Sequence, residues 1–263
     1  MCFFSKKKIA VLIISRTNSK RLKNKAKLKI NGINLIEILV KRILKKIDKK
    51  NLIICSSNEK NNDKRFYKNI SKKFNIGLFF GSEKNVLKRI IDCLEKNKFK
   101  HFVRITGDNP LVDINCIKKL SIEHVLNDYD YTFTDSLPMG MKSEVFSLKA
   151  LKKNYKNILD LNSTEYLTYY FRRPDIYKIK KVNFNKIYKN QEQYKISIDK
   201  KEEFEILKTF LFKKRSIFFK RKEIITFLKK NTNPRKKIKK INLITKEFNV
   251  KYTFDKNKSL LLL

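Results

Sequence analysis

Tryptophan is absent from this 263-residue chain, and glycine and proline are scarce, at five and four residues. The glycine-rich signatures G-x-x-x-x-G-K-[ST] and G-x-G-x-x-G are both missing, which excludes P-loop and dinucleotide-fingerprint readings. No apolar run approaches the ~20 residues needed to span a bilayer. The lysines of Met1 to Lys8 precede only a six-residue apolar stretch, Ile9 to Ile14, so no signal-peptide architecture is present and a cytoplasmic protein is expected. Cys2, Cys55, Cys93 and Cys116 form no C-x-x-C pair and have only His101 and His124 beside them. That argues against a structural zinc site and for buried core cysteines.

Acidic residues are also few. Against 64 Lys+Arg stand 25 Asp+Glu, a net charge of +39. Charge alone suggests a nucleic-acid binder. The lysines, however, are spread along the whole chain beside heavy Asn and Ile use, as a drift in composition would leave them. A clustered patch would be needed for a specific polyanion surface, so no specific nucleic-acid partner is expected. An acidic or phosphorylated substrate is the secondary implication.

What is present reads as alternating strands and helices. Hydrophobic residues make up 41% of a chain long enough to bury a full core. Ile9 to Ile14 is a continuous apolar run of strand length, followed by a polar basic loop from Ser15 to Lys25. Leu35, Leu39, Ile43 and Ile47 recur at helical spacing. Leu52 to Cys55 reads as a strand, Phe66 to Phe74 as a helix, Ile76 to Phe80 as a strand and Val86 to Leu94 as a helix. His101 to Asp113, HFVRITGDNPLVD, reads as a strand end and a Gly/Pro-stiffened turn. Strand–helix alternation at this spacing predicts βαβ units and a mainly parallel sheet, with the loops 15–25, 56–63, 81–85 and 106–113 along one edge. Further on, a helix is expected over Ile114 to Asn127, with strands at Tyr129 to Phe133, Glu144 to Leu148 and Tyr194 to Asp199. Ile176 to Phe184 reads as an antiparallel edge or an arm. The division expected is a main domain over 1–210, with 134–195 as an acceptor-binding or dimerisation arm, and a basic, partly helical extension over 211–263.

Arg16, Ser19, Arg21 and Lys25 place two guanidiniums, an ammonium and a hydroxyl in one loop, a side-chain cradle that suits a triphosphate without glycine amides. Asp108, in the turn after a strand, is placed to hold a metal ion or a polar ligand.

Read together, the loops form a pattern: R-x-x-S-x-R-L-x-x-K at Arg16 to Lys25, F-G-S-E-x-x-V-L-x-R at Phe80 to Arg89, and R-I-T-G-D-N-P-L-V-D at Arg104 to Asp113. D-Y-T at Asp130 to Thr132, G-x-x-x-E-V-F-S at Gly140 to Ser147 and I-S-I-D-x-x-x-E at Ile196 to Glu203 follow. In this order the chain resembles, over about residues 8 to 242, the cytidylyltransferases of the spore-coat polysaccharide type, relatives of the acylneuraminate and 3-deoxy-manno-octulosonate enzymes. The resemblance implies a three-layer α/β/α nucleotidyltransferase sandwich with a mixed, mostly parallel sheet. It implies that CTP and a sugar acid yield a CMP-sugar and pyrophosphate, for surface glycans, with Mg²⁺ as the metal. On that reading Arg16, Lys25 and Asp108 are catalytic. Ser19, Arg21, Ser56, Ser57, Arg104 and Gly107 also line the nucleotide, Gly107 by letting the backbone approach it. Asp108 and Asp199 hold the metal, and Glu144, Glu165 and Tyr166 meet the acceptor. A homodimer is implied as well. A glycosyltransferase or another nucleotidyltransferase on the same fold is the alternative within the enzyme class. The chain departs from the family at Lys23-Asn24, usually Pro-Gly, at Asn85, usually an acid, and at Tyr166, usually histidine.

Overall fold

Ile9, Val11 and Ile13 pack into one hydrophobic cluster, and Ala10 and Leu12 into another. The run carries no polar alternation because both of its faces are covered, as in a central parallel strand. The structure, a computed structural model, describes residues 3–19, 21–60, 62–157, 167–184, 190–234, 240–244 and 251–255. In chain order, α1 (Phe3–Lys6) leads into β1 (Ile9–Ile14), the short hairpin β2 (Lys29–Ile30) and β3 (Ile33–Asn34), and α2 (Leu35–Leu44). Next come β4 (Leu52–Ser57), α3 (Lys64–Phe74), β5 (Gly77–Gly81), α4 (Val86–Lys96), β6 (His101–Thr106) and α5 (Ile114–Leu126). Then follow β7 (Tyr131–Phe133), β8 (Glu144–Ser147), α6 (Leu148–Asn157), α7 (Leu167–Tyr170) and β9 (Ile179–Lys181). Last are α8 (Lys201–Lys214), α9 (Arg221–Asn231) and the hairpin β10 (Lys240–Ile244) and β11 (Lys251–Asp255).

Seven strands form the main sheet in the order β5-β4-β1-β6-β8-β7-β9. β5, β4, β1 and β6 are mutually parallel; β8 runs against β6 and β7, and β9 is parallel to β7. One face is covered by α2, α5, α8 and α9 through Leu39, Leu120, Phe210 and Leu228, among others. The other is covered by α4, α6 and α7 through Leu87, Leu151 and Leu167. The fold is therefore the three-layer, mostly parallel α/β sandwich expected. Four short polar residues start the helices α2 to α5. Asn34, Asp63, Asn85 and Asp113 each accept a bond from the backbone N–H three residues on, at 2.9–3.0 Å. Each such cap contributes about 1 kcal/mol.

Two strand expectations need correction. Tyr194 to Asp199 is not a strand: only Lys195 forms a bridge, to Met139, and the remaining backbone bonds go to separate partners. Ile196 N–H donates to Met139 O at 2.7 Å and Ile198 N–H to Asp108 O at 2.9 Å, so the segment stitches two loops together instead of extending a ladder. Within 176–184, only Ile179–Lys181 is strand, and it pairs parallel, not antiparallel. The division expected at residue 210 falls inside α8. Leu211, Ile224, Ile225 and Leu228 belong to the main core, and Arg221 bonds the Asp113 carboxylate.

The chain's two histidines meet at the far end of β6. His101 Nδ1 lies 3.2 Å from His124 Nε2, and His124 Nδ1 lies 2.9 Å from Thr132 Oγ1. Burial, then the neighbouring His101, pushes His124 down to about 3. The unfolded chain therefore takes up a proton near pH 6.5 that the folded chain refuses until about pH 3. Stability from this group is complete above 6.5 and drains away as pH falls towards 3, by about 2 kcal/mol between pH 7 and 5. Urea melts over that window, where carboxylates are still ionised, should show the slope, and His124→Gln should flatten it.

Candidate functional site

Strand register sets the carboxyl ends of β1, β4, β5 and β6 along one edge: Ile14 pairs Cys55 and Thr106, and Ser57 pairs Gly81. The loops after β1 and β6 leave neighbouring parallel strands where the strand order reverses, a place where α/β folds open a crevice. Its centre is an ammonium between two carboxylates. Lys25 Nζ lies 3.0 Å from Asp108 Oδ2, 3.4 Å from Asp199 Oδ1 and 3.1 Å from Ile198 O. Arg21 lies 2.9 Å from Asp199 while remaining 72% exposed, and Lys195 reaches Asp199 from the other side at 3.1 Å. Burial opposes ionisation of Asp199, but Lys25, Lys195 and Arg21 together outweigh it and hold its carboxyl below the usual range. The loop 15–25, the turn 106–113 and Asp199 are thus brought together over more than 170 residues of chain.

Each acid is aimed by its neighbours. Thr106 Oγ1 donates to Asp108 Oδ1, and Asn109 Nδ2 donates to Thr106 Oγ1 at 2.9 Å. Glu203 accepts from Asp199 N–H and also pairs with Lys195. Asp108 and Asp199 are hard oxygen donors with convergent lone pairs, and a buried Asn109 Oδ1 has no hydrogen-bond partner among the described residues. No cluster of three or more potential metal ligands occurs among the described residues. Two carboxylates, with the remaining positions left to phosphate oxygens and water, match the way Mg²⁺ is usually held.

A second centre was not foreseen. Glu83 gathers Arg16 at 3.0 Å, Asn18 at 2.9 Å and Ser57 Oγ at 3.0 Å. It ties the loop after β1 to the ends of β4 and β5. Asn62 does the same lower down, accepting from Thr17 N–H and Oγ1–H and donating to Ser56 Oγ. Ser56 and Ser57 are fully buried, so their hydroxyls face these partners rather than solvent. The Ser19 hydroxyl turns back onto Leu22 O. Arg104 is committed to Glu144 at 2.8 Å, and Glu144 also accepts from Thr168 at 2.9 Å and from Tyr131 at 2.6 Å. Gly107 is a glycine for packing: a Cβ there would lie 2.5 Å from Ser15 Oγ and 2.9 Å from Ile36 Cδ1. The missing side chain faces the α2 layer, not the crevice. Glu165 and Tyr166 lie outside the described residues. Of the residues passed over in the sequence, Glu83 stands inside the F-G-S-E segment, and Lys195 sits four residues before Asp199.

Two departures from the usual family pattern have a backbone explanation. Asn24 holds φ +53°, a left-handed conformation that Gly and Asn tolerate best, and so presents Lys25 at the start of a short 3₁₀ turn. Asn85 caps α4 as an aspartate would. Asn24→Gly is therefore expected to stay within about 0.5 kcal/mol of wild type, whereas Asn24→Val should lose about 1–2 kcal/mol. It should also bind nucleotide more weakly, because Lys25 moves with the turn. Urea melts and calorimetry read both.

Comparison with known proteins gives a consistent result. The family model described as cytidylyltransferase matches residues 10–249. An uncharacterized protein of Methanocaldococcus jannaschii is 35% identical over 237 residues, covering 89% of this chain and 94% of that protein. The spore coat polysaccharide biosynthesis protein SpsF of Bacillus subtilis is 30% identical over 206 residues, covering 76% and 85%. A cytidylyltransferase from Leptospira borgpetersenii superposes with a TM-score of 0.76 at 22% identity, over 85% of this chain and 94% of that one. CMP:2-keto-3-deoxy-manno-octonic acid synthetase, solved with CTP, gives 0.59 at 11% identity, over 79% and 99%. At those identities the two structures speak for the fold alone.

Proposed function

The chain belongs to the cytidylyltransferase family and is a nucleotidyltransferase; from that premise we propose that it transfers CMP from CTP to a sugar acid of the nonulosonic or octulosonic type. Pyrophosphate is the second product, and the activated sugar serves surface glycan synthesis. The observation that carries this reading is the meeting of Lys25, Arg21, Asp108 and Asp199 at the sheet's switch point. Arg16, Arg21 and Lys25 neutralise the triphosphate, and the Ser19 turn fixes their loop. Ser56, Ser57 and Gly107 support the nucleotide from behind by holding strand ends and helix in place, and Arg104 with Glu144 braces the floor towards the acceptor. Asp108 and Asp199 would hold Mg²⁺, which when bound supplies charge neutralisation at the phosphates. The sugar hydroxyl attacks the α-phosphorus in line, and pyrophosphate leaves. The residues' part is orientation and electrostatic stabilisation. Glu165 and Tyr166 belong to the acceptor side on this reading.

No helix among the described residues is long and apolar enough to cross a membrane. The reading places the enzyme in the cytoplasm, as a homodimer joined through part of 134–195. Its direct test is a panel of CTP, UTP, GTP and ATP crossed with nonulosonic and octulosonic acids, reading pyrophosphate. Release confined to CTP plus an acid supports it; no release with any nucleotide rejects it.

A further inference from the structure

The helices α8 and α9 each begin at a loop that belongs to the acid pair. At the start of α8, Glu203 accepts from the backbone N–H of Asp199 at 2.5 Å and of Lys200 at 3.0 Å. At the start of α9, Arg221 Nε donates to Asp113 Oδ2 at 2.5 Å, at the end of the turn that carries Asp108. The Asp113 side chain is 8% exposed and that of Arg221 17%, so this pair is largely withdrawn from water. Asp113 also accepts from Cys116 N–H at 3.0 Å, and its own N–H donates to Met141 O at 3.0 Å. Arg42 of α2 adds a second tie. It donates to Val112 O at 3.1 Å and to Ile217 O, in the connection between α8 and α9, at 2.5 Å. Its guanidinium lies 4.1 Å over the Phe219 ring of the same connection.

The two helices are locked to each other. Phe210 of α8 meets Phe219 edge-on at 5.0 Å and Phe227 of α9 at 5.1 Å between ring centroids. Lys214, in the last turn of α8, pairs with Glu223, in the first turn of α9. Glu223 also accepts from Lys220 N–H at 2.6 Å, which ties the start of α9 to that pair. Leu207, Leu211, Ile224 and Leu228 anchor both helices in the main core. One rigid unit therefore touches the Asp199 segment at one helix start and the Asp108 turn at the other. Between the loops themselves, Ile198 N–H donates to Asp108 O at 2.9 Å. Mg²⁺ demands near-ideal geometry at about 2.1 Å from its oxygens, so two acids on separate loops need firm spacing to serve it.

We propose that the α8–α9 pair is a clasp that sets the spacing of Asp108 and Asp199. Arg221 and Arg42 are positioning residues for the Asp108 turn, and Glu203 is one for the Asp199 segment. Each acts through the loop it holds. The residues beyond 210 thus serve the site as well as the core. The proposal rests on the reading of Asp108 and Asp199 as metal-holding acids, and its test separates the two.

Amide hydrogen exchange on the full chain without metal reads the clasp directly. Arg221→Met should speed exchange at the Asp113 and Ile198 amides by about tenfold or more, while β1 and β4 keep their protection. Calorimetry of CTP at increasing Mg²⁺ reads the consequence. Half-saturating Mg²⁺ should rise by about tenfold, and CTP affinity in chelator should stay within about threefold of wild type. Arg221→Lys should recover part of both effects. Asp113→Asn keeps the α5 cap and loses the ion pair, so it should shift both readouts the same way in a folded chain. Leu151→Ala, a cavity on the opposite face of the sheet, should lower the thermal midpoint and move neither readout. Unchanged exchange, or an unchanged Mg²⁺ requirement, in both Arg221→Met and Asp113→Asn would overturn the clasp. So would a Mg²⁺ requirement that simply follows the thermal midpoint, Leu151→Ala included. If wild-type CTP binding ignores Mg²⁺, the metal reading falls, and the metal-free exchange still decides the clasp.

Discussion

Replacing Asp108 with asparagine should lower pyrophosphate release from CTP by about 10³-fold or more while leaving the fold in place. The amide is isosteric, and its oxygen still accepts from Thr106 Oγ1, so the turn keeps its bond. Ile198 N–H bonds the Asp108 backbone carbonyl, which the substitution does not touch. Lys25 retains Asp199 and Ile198 O. The lost ion pair is partly exposed on both sides and contributes about 1 kcal/mol or less to stability. A thermal midpoint within a few degrees of wild type and a collapsed rate is therefore the expected pair of results. A variant that works within tenfold of wild type would remove Asp108 from the metal site.

Lys25 has the second large effect, and it reads out in binding as well as rate. Its ammonium occupies the space between the two acids, where a divalent cation would go. A doubly charged ion about 4 Å from that ammonium would be repelled by about 8 kcal/mol at an effective dielectric of 20. On the proposed reading that repulsion turns the ammonium away from the acid pair and towards the triphosphate. Wild type should take up Mn²⁺ at this site only together with CTP. Lys25→Met should bind Mn²⁺ without nucleotide, yet lose about 10²- to 10³-fold in turnover, because the triphosphate has lost its ammonium. Mn²⁺ titration followed by electron paramagnetic resonance distinguishes the two. Equal nucleotide-free uptake by wild type and variant would contradict the exchange.

Much of this edge was legible because β1 is an unbroken apolar run buried on both faces and β4 opens with one, while β6 is marked by the Gly/Pro turn that follows it. Once their order and direction are set, the loops after them must share an edge, and Arg21, Lys25 and Asp108 meet for that reason. The part of the edge beyond β6 was harder. Tyr194, Ile196 and Ile198 alternate in sequence like a strand and are all buried, but their N–H groups serve three different partners and no ladder forms. Glu83 carries no periodic signal; its role exists only where three loops meet. Asn24 and Asn85 looked like losses by residue type, while in backbone terms each does the work of the residue it replaces.

The central claim is that Asp108 and Asp199 bind CTP through a divalent ion, and calorimetry of CTP with and without Mg²⁺ tests it most directly. Wild type should bind CTP at least tenfold more tightly with Mg²⁺ than in chelator, and Asp108→Asn should erase that difference. CTP affinity that ignores Mg²⁺ in wild type, or a Mg²⁺ gain that survives in Asp108→Asn, would contradict the claim.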